Sequence, residues 1–227
     1  MESSHLTSVN WRTDSLPSSA RKALERLSGF DWLEKSDWYL AGGTALALQV
    51  GHRSSVDLDF FLPHKAFDLG SVLDNFASPD WETNISRENT IYGSFMGTKV
   101  SFIAYPYFKP ALPFNLYQKI KILKPEDIGV MKIVAISQRG RKRDFIDLYW
   151  LCQNVKPLFE FVKCLPAQYP SVAHDYHHIT KSLTYFEDAD KDPMPKLNFK
   201  TDWRSVKNFF NSEVRKIAAE LMGIGAP

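Results

Sequence analysis

Cysteine is scarce. The 227 residues hold two, Cys152 and Cys164, twelve positions apart and with no Cys/His cluster beside them. That pattern excludes a disulfide framework and a zinc site, and leaves both as packing residues. Long apolar runs are missing too: none approaches the ~18 residues that a membrane-spanning helix needs. Residues 1–10 lack the basic-then-apolar pattern of an export signal, so a cytosolic protein is expected. Internal repeats and low-complexity tracts are absent. With 44% hydrophobic and 24% charged residues, the composition is that of an ordinary globular chain, and disordered or collagen-like classes are excluded.

Net charge is also small, +2, but it is unevenly placed. Residues 119–143 carry eight Lys/Arg (119, 121, 124, 132, 139, 141, 142 and 143) against Glu126 and Asp127, a local +6 that leaves −4 elsewhere. Such a segment either attracts phosphate or is a solvated helix face.

Periodicity gives the elements. Residues 1–15 read as a loose arm, and Pro17 opens a helix that ends at Gly29. A short strand, Trp38–Leu40, runs into Ala41-Gly42-Gly43 and then the helix-forming Thr44–Gln49, a strand, tight turn and helix. Val56 to Leu62 alternates as a strand, with Val56, Leu58 and Phe60 on one face and Asp57 and Asp59 on the other. A helix is predicted over 65–76 and strands over 81–87, 91–96 and 99–105. Prolines interrupt residues 105–113, and a domain boundary is expected near 110–125. The reading is α+β: residues 1–120 form a mixed-sheet unit with its arm and helix, and residues 121–227 form a helical bundle. Helices are predicted over 125–139, 143–152, 158–165, 174–185 and 202–222.

The chemistry centres on Gly42-Gly43-Thr44 and on Asp57-Leu58-Asp59. Two carboxylates projecting from one strand face, about 6–7 Å apart by the strand rise, repel each other unless a cation sits between them. Magnesium would neutralise them and position a nucleotide's phosphates for in-line displacement. A glycine turn at a helix N-terminus exposes backbone amides to an anion, so a triphosphate fits between turn and acids. Lys132 either reaches that triphosphate or is an ordinary exposed lysine. Arg53 either binds phosphate or braces the two aspartates. Asp144 and Asp147 share a helix face, and Arg139 or Arg143 is a candidate partner; for Asp147 a structural ion-pair network is the favoured reading. His174, His177 and His178 read as solvated or capping residues, and the six tryptophans as core or partner contacts.

Residues 41–61, together with Lys132 and the run Arg139-Gly-Arg-Lys-Arg-Asp-Phe-Ile-Asp-Leu-Tyr149, resemble the AbiEii/AbiGii toxin family of nucleotidyltransferases, within the DNA polymerase β-like nucleotidyltransferase superfamily. The resemblance spans residues 38–151. It implies a nucleotidyltransferase-like mixed sheet with flanking helices, followed by the helical bundle. Gly42, Gly43 and Thr44 would cradle the nucleotide, and Asp57 and Asp59 would bind metal. Lys132 and Asp144 match the family's motif lysine and its last acid. Members include bacterial toxins encoded beside an antitoxin, which bind nucleoside triphosphates and in some cases add nucleotides to transfer RNA. An NTP substrate, an RNA acceptor and an antitoxin partner are therefore expected, and no membrane. One position departs from the superfamily: the neighbouring strand offers Ser101 where a third carboxylate is anticipated, and its own alternation sets Lys99 and Ile103 on the same face.

Overall fold

Short alternating segments build a seven-stranded sheet in the computed structural model, which describes residues 9–76 and 79–221. The strands are β1 (Tyr39–Ala41), β2 (Leu58–Leu62), β3 (Trp81–Arg87), β4 (Thr90–Phe95), β5 (Thr98–Ala104), β6 (Asn115–Tyr117) and β7 (Ile120–Ile122), in the order β3-β4-β5-β2-β1-β7-β6. Pairs β2/β5 and β1/β7 are parallel and the remaining pairs antiparallel, so the sheet is mixed. Flanking it are α1 (Ser18–Leu27), α2 (Asp31–Lys35), α3 (Gly42–Val50) and α4 (Leu69–Leu73). Then follow α5 (Pro125–Arg139), α6 (Lys142–Asn154), α7 (Leu158–Lys163), α8 (Leu165–Gln168), α9 (Tyr176–Leu183), α10 (Glu187–Asp190) and α11 (Trp203–Leu221). The expected α+β class with a helical C-terminal half is what the chain adopts. No helix among the described residues is long and apolar enough to cross a membrane.

Four local expectations need correction. Residues 9–15 are packed instead of forming a loose arm: Arg12 N–H donates to Leu48 O at 2.7 Å, and Trp11 meets Tyr117 edge-on. Val56 is exposed and precedes β2, which starts at Leu58. The helix predicted over 65–76 shrinks to α4, because the Asp68 carboxylate caps it late by accepting from Gly70 and Ser71 N–H. Finally, β6 and β7 lie where a domain boundary was expected, near 110–125, and they carry the sheet to Ile122. Met222, the last residue of the final predicted helix, and residues 1–8 of the arm lie outside the described residues.

One face of the sheet is a hydrophobic core. Phe60 and Phe102 stack at 5.1 Å, and Trp38 and Phe76 pack edge-on or tilted against Phe102. Each fully buried ring of this kind contributes about 1.5–3 kcal/mol. The tryptophans are core or core-packing residues, as read from the sequence. The other face carries the acids and looks toward α5. Pro125 starts α5 and Gly140, at φ 52°, ends it. Far along the chain, residues 196–198 strap across the loop before β2: Ser54 N–H donates to Lys196 O, Asn198 N–H to His52 O, and Asn198 Nδ2 to Gly51 O.

Candidate active site

Strand register assembles the site. Ala41 pairs with Asp59, Asp59 with Ser101, and Ser101 with Tyr92, so one row runs across β1, β2, β5 and β4. Directly opposed residues share a face. Ser101 Oγ accordingly donates to Asp59 Oδ1 at 2.7 Å. Lys99, Ser101 and Ile103 all line the cleft, as their alternation required. Burial pushes the Asp59 carboxyl above the ordinary carboxylate range; the Ser101 hydroxyl opposes this and the charge of Asp57 adds to it.

The glycine turn meets that acid. Gly42 has φ +74°, a region that L side chains avoid, and a Cβ built on it would lie 3.4 Å from Asp59 Oδ2. Helix α3 thus opens against the carboxylate, its first amides without partners inside the helix. Thr44 Oγ1 donates to the carbonyl of Asp57 and lies 2.9 Å from Ser55 Oγ, so its hydroxyl fixes the loop that delivers the first acid. Asp57 itself stands just ahead of β2, with Arg143 Nη1 3.4 Å from its Oδ2. Two carboxylates of this kind are oxygen donors suited to a hard divalent cation. Among the described residues no group of three or more His, Cys, Asp or Glu side chains gathers as a metal site.

Behind the cleft lies an ion network that joins three sequence segments. Lys132 Nζ sits 2.7 Å from Asp144 Oδ1 and 2.6 Å from Asp147 Oδ2; its side chain is 6% exposed and both aspartates are 0% exposed. Asp147 also accepts from Arg53 Nε at 2.5 Å and Nη2 at 2.9 Å, and it lies 2.7 Å from His52 Nε2. Asp144 accepts from Arg139 Nε at 3.0 Å. Burial opposes ionisation of Asp147, but Arg53 and Lys132 overcome it and hold the carboxyl well below its usual range. Asp144 is lowered in the same way, by Lys132 and Arg139 against burial. Burial lowers His52, so the neutral ring donates Nε2–H to Asp147.

The cleft has a volume of about 710 Å³, and Gly42, Gly43, Thr44, Arg53, Asp57, Asp59 and Lys132 all line it. Asp144 does not, and it reaches the cleft through Lys132 and Arg139. Three readings change here. Lys132 is buried and paired, not an exposed lysine. Arg53 braces Asp147, not Asp57 or Asp59; a Cβ on Gly43 would fall 2.2 Å from its Nη2, so the guanidinium props the turn. The basic segment is not one face, because Lys119 pairs with Asp31, Lys121 donates to Ser36 O, Arg141 pairs with Asp192, and Lys142 donates to Asp192 O. The expected network at Asp147 is present. Tyr92, Tyr105 and Arg143 also line the cleft. Strand pairing, invisible in one sequence, was the missing signal for Tyr92, whereas Tyr105 follows the parity of Ser101 and Ile103 one step past β5.

Comparison with known proteins agrees with this geometry. The family described as nucleotidyl transferase AbiEii toxin, type IV TA system, matches residues 26–92 and 97–220. An uncharacterised protein of Aquifex aeolicus is 36% identical over 207 residues, covering 88% of this chain and 97% of that one. Among solved structures, a putative nucleotidyltransferase from H. pylori shares the fold at a TM-score of 0.53 and 18% identity, covering 93% of this chain and all of that one. The nucleotidyltransferase toxin MenT4 of Mycobacterium tuberculosis is matched at a TM-score of 0.46 and 16% identity, over 92% of this chain and 87% of that one. A glycine turn set against a strand acid, a mixed sheet and a family match over most of its length lead to one conclusion: the chain belongs to the AbiEii nucleotidyltransferase toxin family and is a transferase.

Proposed function

We propose that this cleft transfers a nucleotide from a nucleoside triphosphate to a hydroxyl of an RNA acceptor, transfer RNA being the class, with magnesium held at Asp57 and Asp59. The observation that carries the reading is the packing of Asp59 against Gly42, which puts a cation-binding acid and a phosphate-binding turn on one wall. Magnesium binds through one or two carboxylates together with substrate phosphates, so this donor set fits it. When bound, it neutralises phosphate charge and orients the group being transferred.

The chain's own residues supply the rest. The amides of Gly42, Gly43 and Thr44 bind phosphate oxygens at the positive end of α3. Lys132 adds a fixed positive charge; Asp144 and Asp147 are positioning residues that hold its Nζ, and Arg53 supports the turn from beneath. Ser101 orients the Asp59 carboxylate. With serine in place of a third acid, the acceptor hydroxyl attacks with little base assistance. That loss is tolerable, because phosphoryl-type transfer rests mainly on positioning and charge stabilisation. The α+β unit carries this chemistry, and the helical unit beginning after Ile122 closes over nucleotide and acceptor. In the cell the protein acts in the cytoplasm as the toxin of a toxin-antitoxin or phage-defence pair, with an antitoxin protein as partner.

Ser101 and the engagement of Lys132 by two carboxylates also favour a second reading, a catalytically weak module that binds nucleotide or antitoxin and keeps the fold. Incubation with each labelled triphosphate, magnesium and total RNA separates the two. Labelled RNA supports transfer, and nucleotide binding without labelling selects the module. A protein that neither labels RNA nor binds nucleotide refutes the transfer reading.

A further inference from the structure

A cleft that transfers a nucleotide to a hydroxyl has hydroxyls of its own to contend with. Six of the described residues that line it carry one: Thr44, Ser55, Tyr92, Ser101, Tyr105 and Tyr169. Five of these are engaged with other protein groups. Thr44 donates to Asp57 O and is hydrogen-bonded to Ser55, Ser101 donates to Asp59 at 2.7 Å, and the phenol oxygens of Tyr105 and Tyr169 lie 3.5 Å apart. None of these bonds involves Tyr92, which is 44% exposed. The two lysines of the cleft, Lys99 and Lys132, compete poorly as nucleophiles, because an ammonium has no lone pair; Lys132 is moreover held by Asp144 and Asp147.

Position singles out the same residue. Tyr92 on β4 is paired with Ser101 on β5, and Ser101 with Asp59 on β2, so the phenol rises from the row of the acid, one strand beyond Ser101. Neighbouring strands lie about 4.7–4.9 Å apart, a gap that a tyrosine side chain can span. Arg139 shows where the ring stands. Burial opposes its charge, Asp144 outweighs the burial, and Asp59 and Tyr92 both add to that effect, so the guanidinium lies near acid and phenol together. Acidity points the same way. Phenols ionise near pH 10, far more readily than a sugar hydroxyl. Where Ser101 stands in place of a third acid, the acceptor that needs least help from a base is therefore a phenol.

We infer that Tyr92 is a modification site of the protein's own making: the cleft attaches a nucleoside monophosphate to the Tyr92 oxygen of the same chain. The inference rests on nucleotide transfer being the reaction of this cleft. The phenol oxygen attacks the α-phosphorus of the triphosphate, and the bond from that phosphorus to the oxygen bridging it to the β-phosphorus breaks. Pyrophosphate leaves with the electron pair, the phenol proton passes to water, and the product is a tyrosyl phosphodiester. The test is incubation of the full chain with magnesium and each nucleoside triphosphate labelled on its α-phosphate, with and without total RNA, followed by intact mass and tryptic mapping. Trypsin cuts after Arg87 and Lys99, so the site falls in residues 88–99, where Tyr92 is the sole tyrosine. The expected result is a gain of one nucleoside monophosphate per chain, on Tyr92 and stable to acid. Tyr92→Phe loses the label, and so does Asp57→Asn. Label on Thr90, Ser94 or Lys99 instead of Tyr92 overturns the assignment, and a rate per chain that falls on dilution overturns attack within one molecule. Labelled RNA with an unlabelled chain overturns the inference and leaves transfer to RNA standing. A labelled Tyr92 with unlabelled RNA supports the inference and overturns RNA as the acceptor. Absence of label from both overturns both.

Discussion

Asp59, half-buried in the cleft, and Asp147, fully buried behind it, take the same substitution, Asp→Asn, which should move stability in opposite directions. Asp147 is contacted by Arg53, Lys132 and His52, and it has no exposed surface. Asparagine there removes the central negative charge and turns amide hydrogens toward cations, leaving Arg53, 4% exposed, without its paired carboxylate and with only the more distant Asp144 and Asp57. Breaking a buried ionic contact by deleting one partner costs about 3–5 kcal/mol. With a urea slope of about 2–3 kcal/mol per molar, the unfolding midpoint should fall by about 1–2.5 M. Asp59 has the Ser101 hydroxyl as its hydrogen-bond donor and Asp57 as a like-charged neighbour. Its ionisation lowers stability as pH rises past the unfolded value of about 3.9, so Asp59→Asn at neutral pH should hold or raise the midpoint while abolishing magnesium-dependent triphosphate binding. The pH dependence of the Asp147 effect has the opposite sign. A depressed carboxyl stabilises above about 3.9 and loses that contribution as pH falls through its folded value, so the deficit of Asp147→Asn should shrink in acid. Equal midpoints for the two variants, or a deficit at Asp147 that is the same at pH 3 and pH 7, would refute this account of the network.

Four further expectations concern the walls of the site. Ser101→Ala removes the donor that holds Asp59 down, so the acid limb of magnesium-triphosphate binding should move to higher pH; an unmoved limb means the hydroxyl does not tune the acid. Ser101→Asp sets a third carboxylate beside Asp59 and should melt lower in chelator but gain more from added magnesium than the parent does. Gly43→Ala drives a methyl onto Arg53 Nη2, which Asp147 holds in place, and should cost about 1–3 kcal/mol in a thermal melt together with a loss of nucleotide binding; a silent variant would show that the guanidinium yields freely. Arg143 and Arg141 are both about half-exposed and both paired, with Asp57 and Asp192, but only Arg143 lines the cleft, so Arg143→Ala should flatten the salt dependence of RNA association by about one charge while Arg141→Ala changes it less.

Much of the site could be read from local pattern. The doublet Gly42-Gly43 before a helix-forming run, and the alternation that puts Asp57 and Asp59 on the face away from Leu58, need only near neighbours to be recognised. The same parity correctly aligned Lys99, Ser101 and Ile103. What failed depended on distance along the chain. Arg53 and Asp147 are 94 positions apart, and nothing local says that the arginine turns toward α6 instead of toward the acids four and six residues ahead. Lys132 could be read either way because its neighbours are mixed, and only the return of Asp144 and Asp147 through α6 compensates its burial. Strands β6 and β7 are three residues each, too short for a period of two to register, and they exist because β1 offers β7 a parallel edge.

The strap of residues 196–198 has a consequence for when the protein becomes capable of chemistry. It clamps the loop that carries Arg53 and leads into Asp57, across a separation of 147 residues between Asn198 and Gly51. Contacts so distant in sequence close late, since the intervening chain must first be made and ordered. Until Asn198 is in place the arginine loop is held only from within, by Asp147 on Arg53 and by Thr44 and Ser15 on Ser55, and lacks the outer strap. The last fastening of the loop ahead of Asp57 is thereby tied to the arrival of a segment some 147 residues downstream.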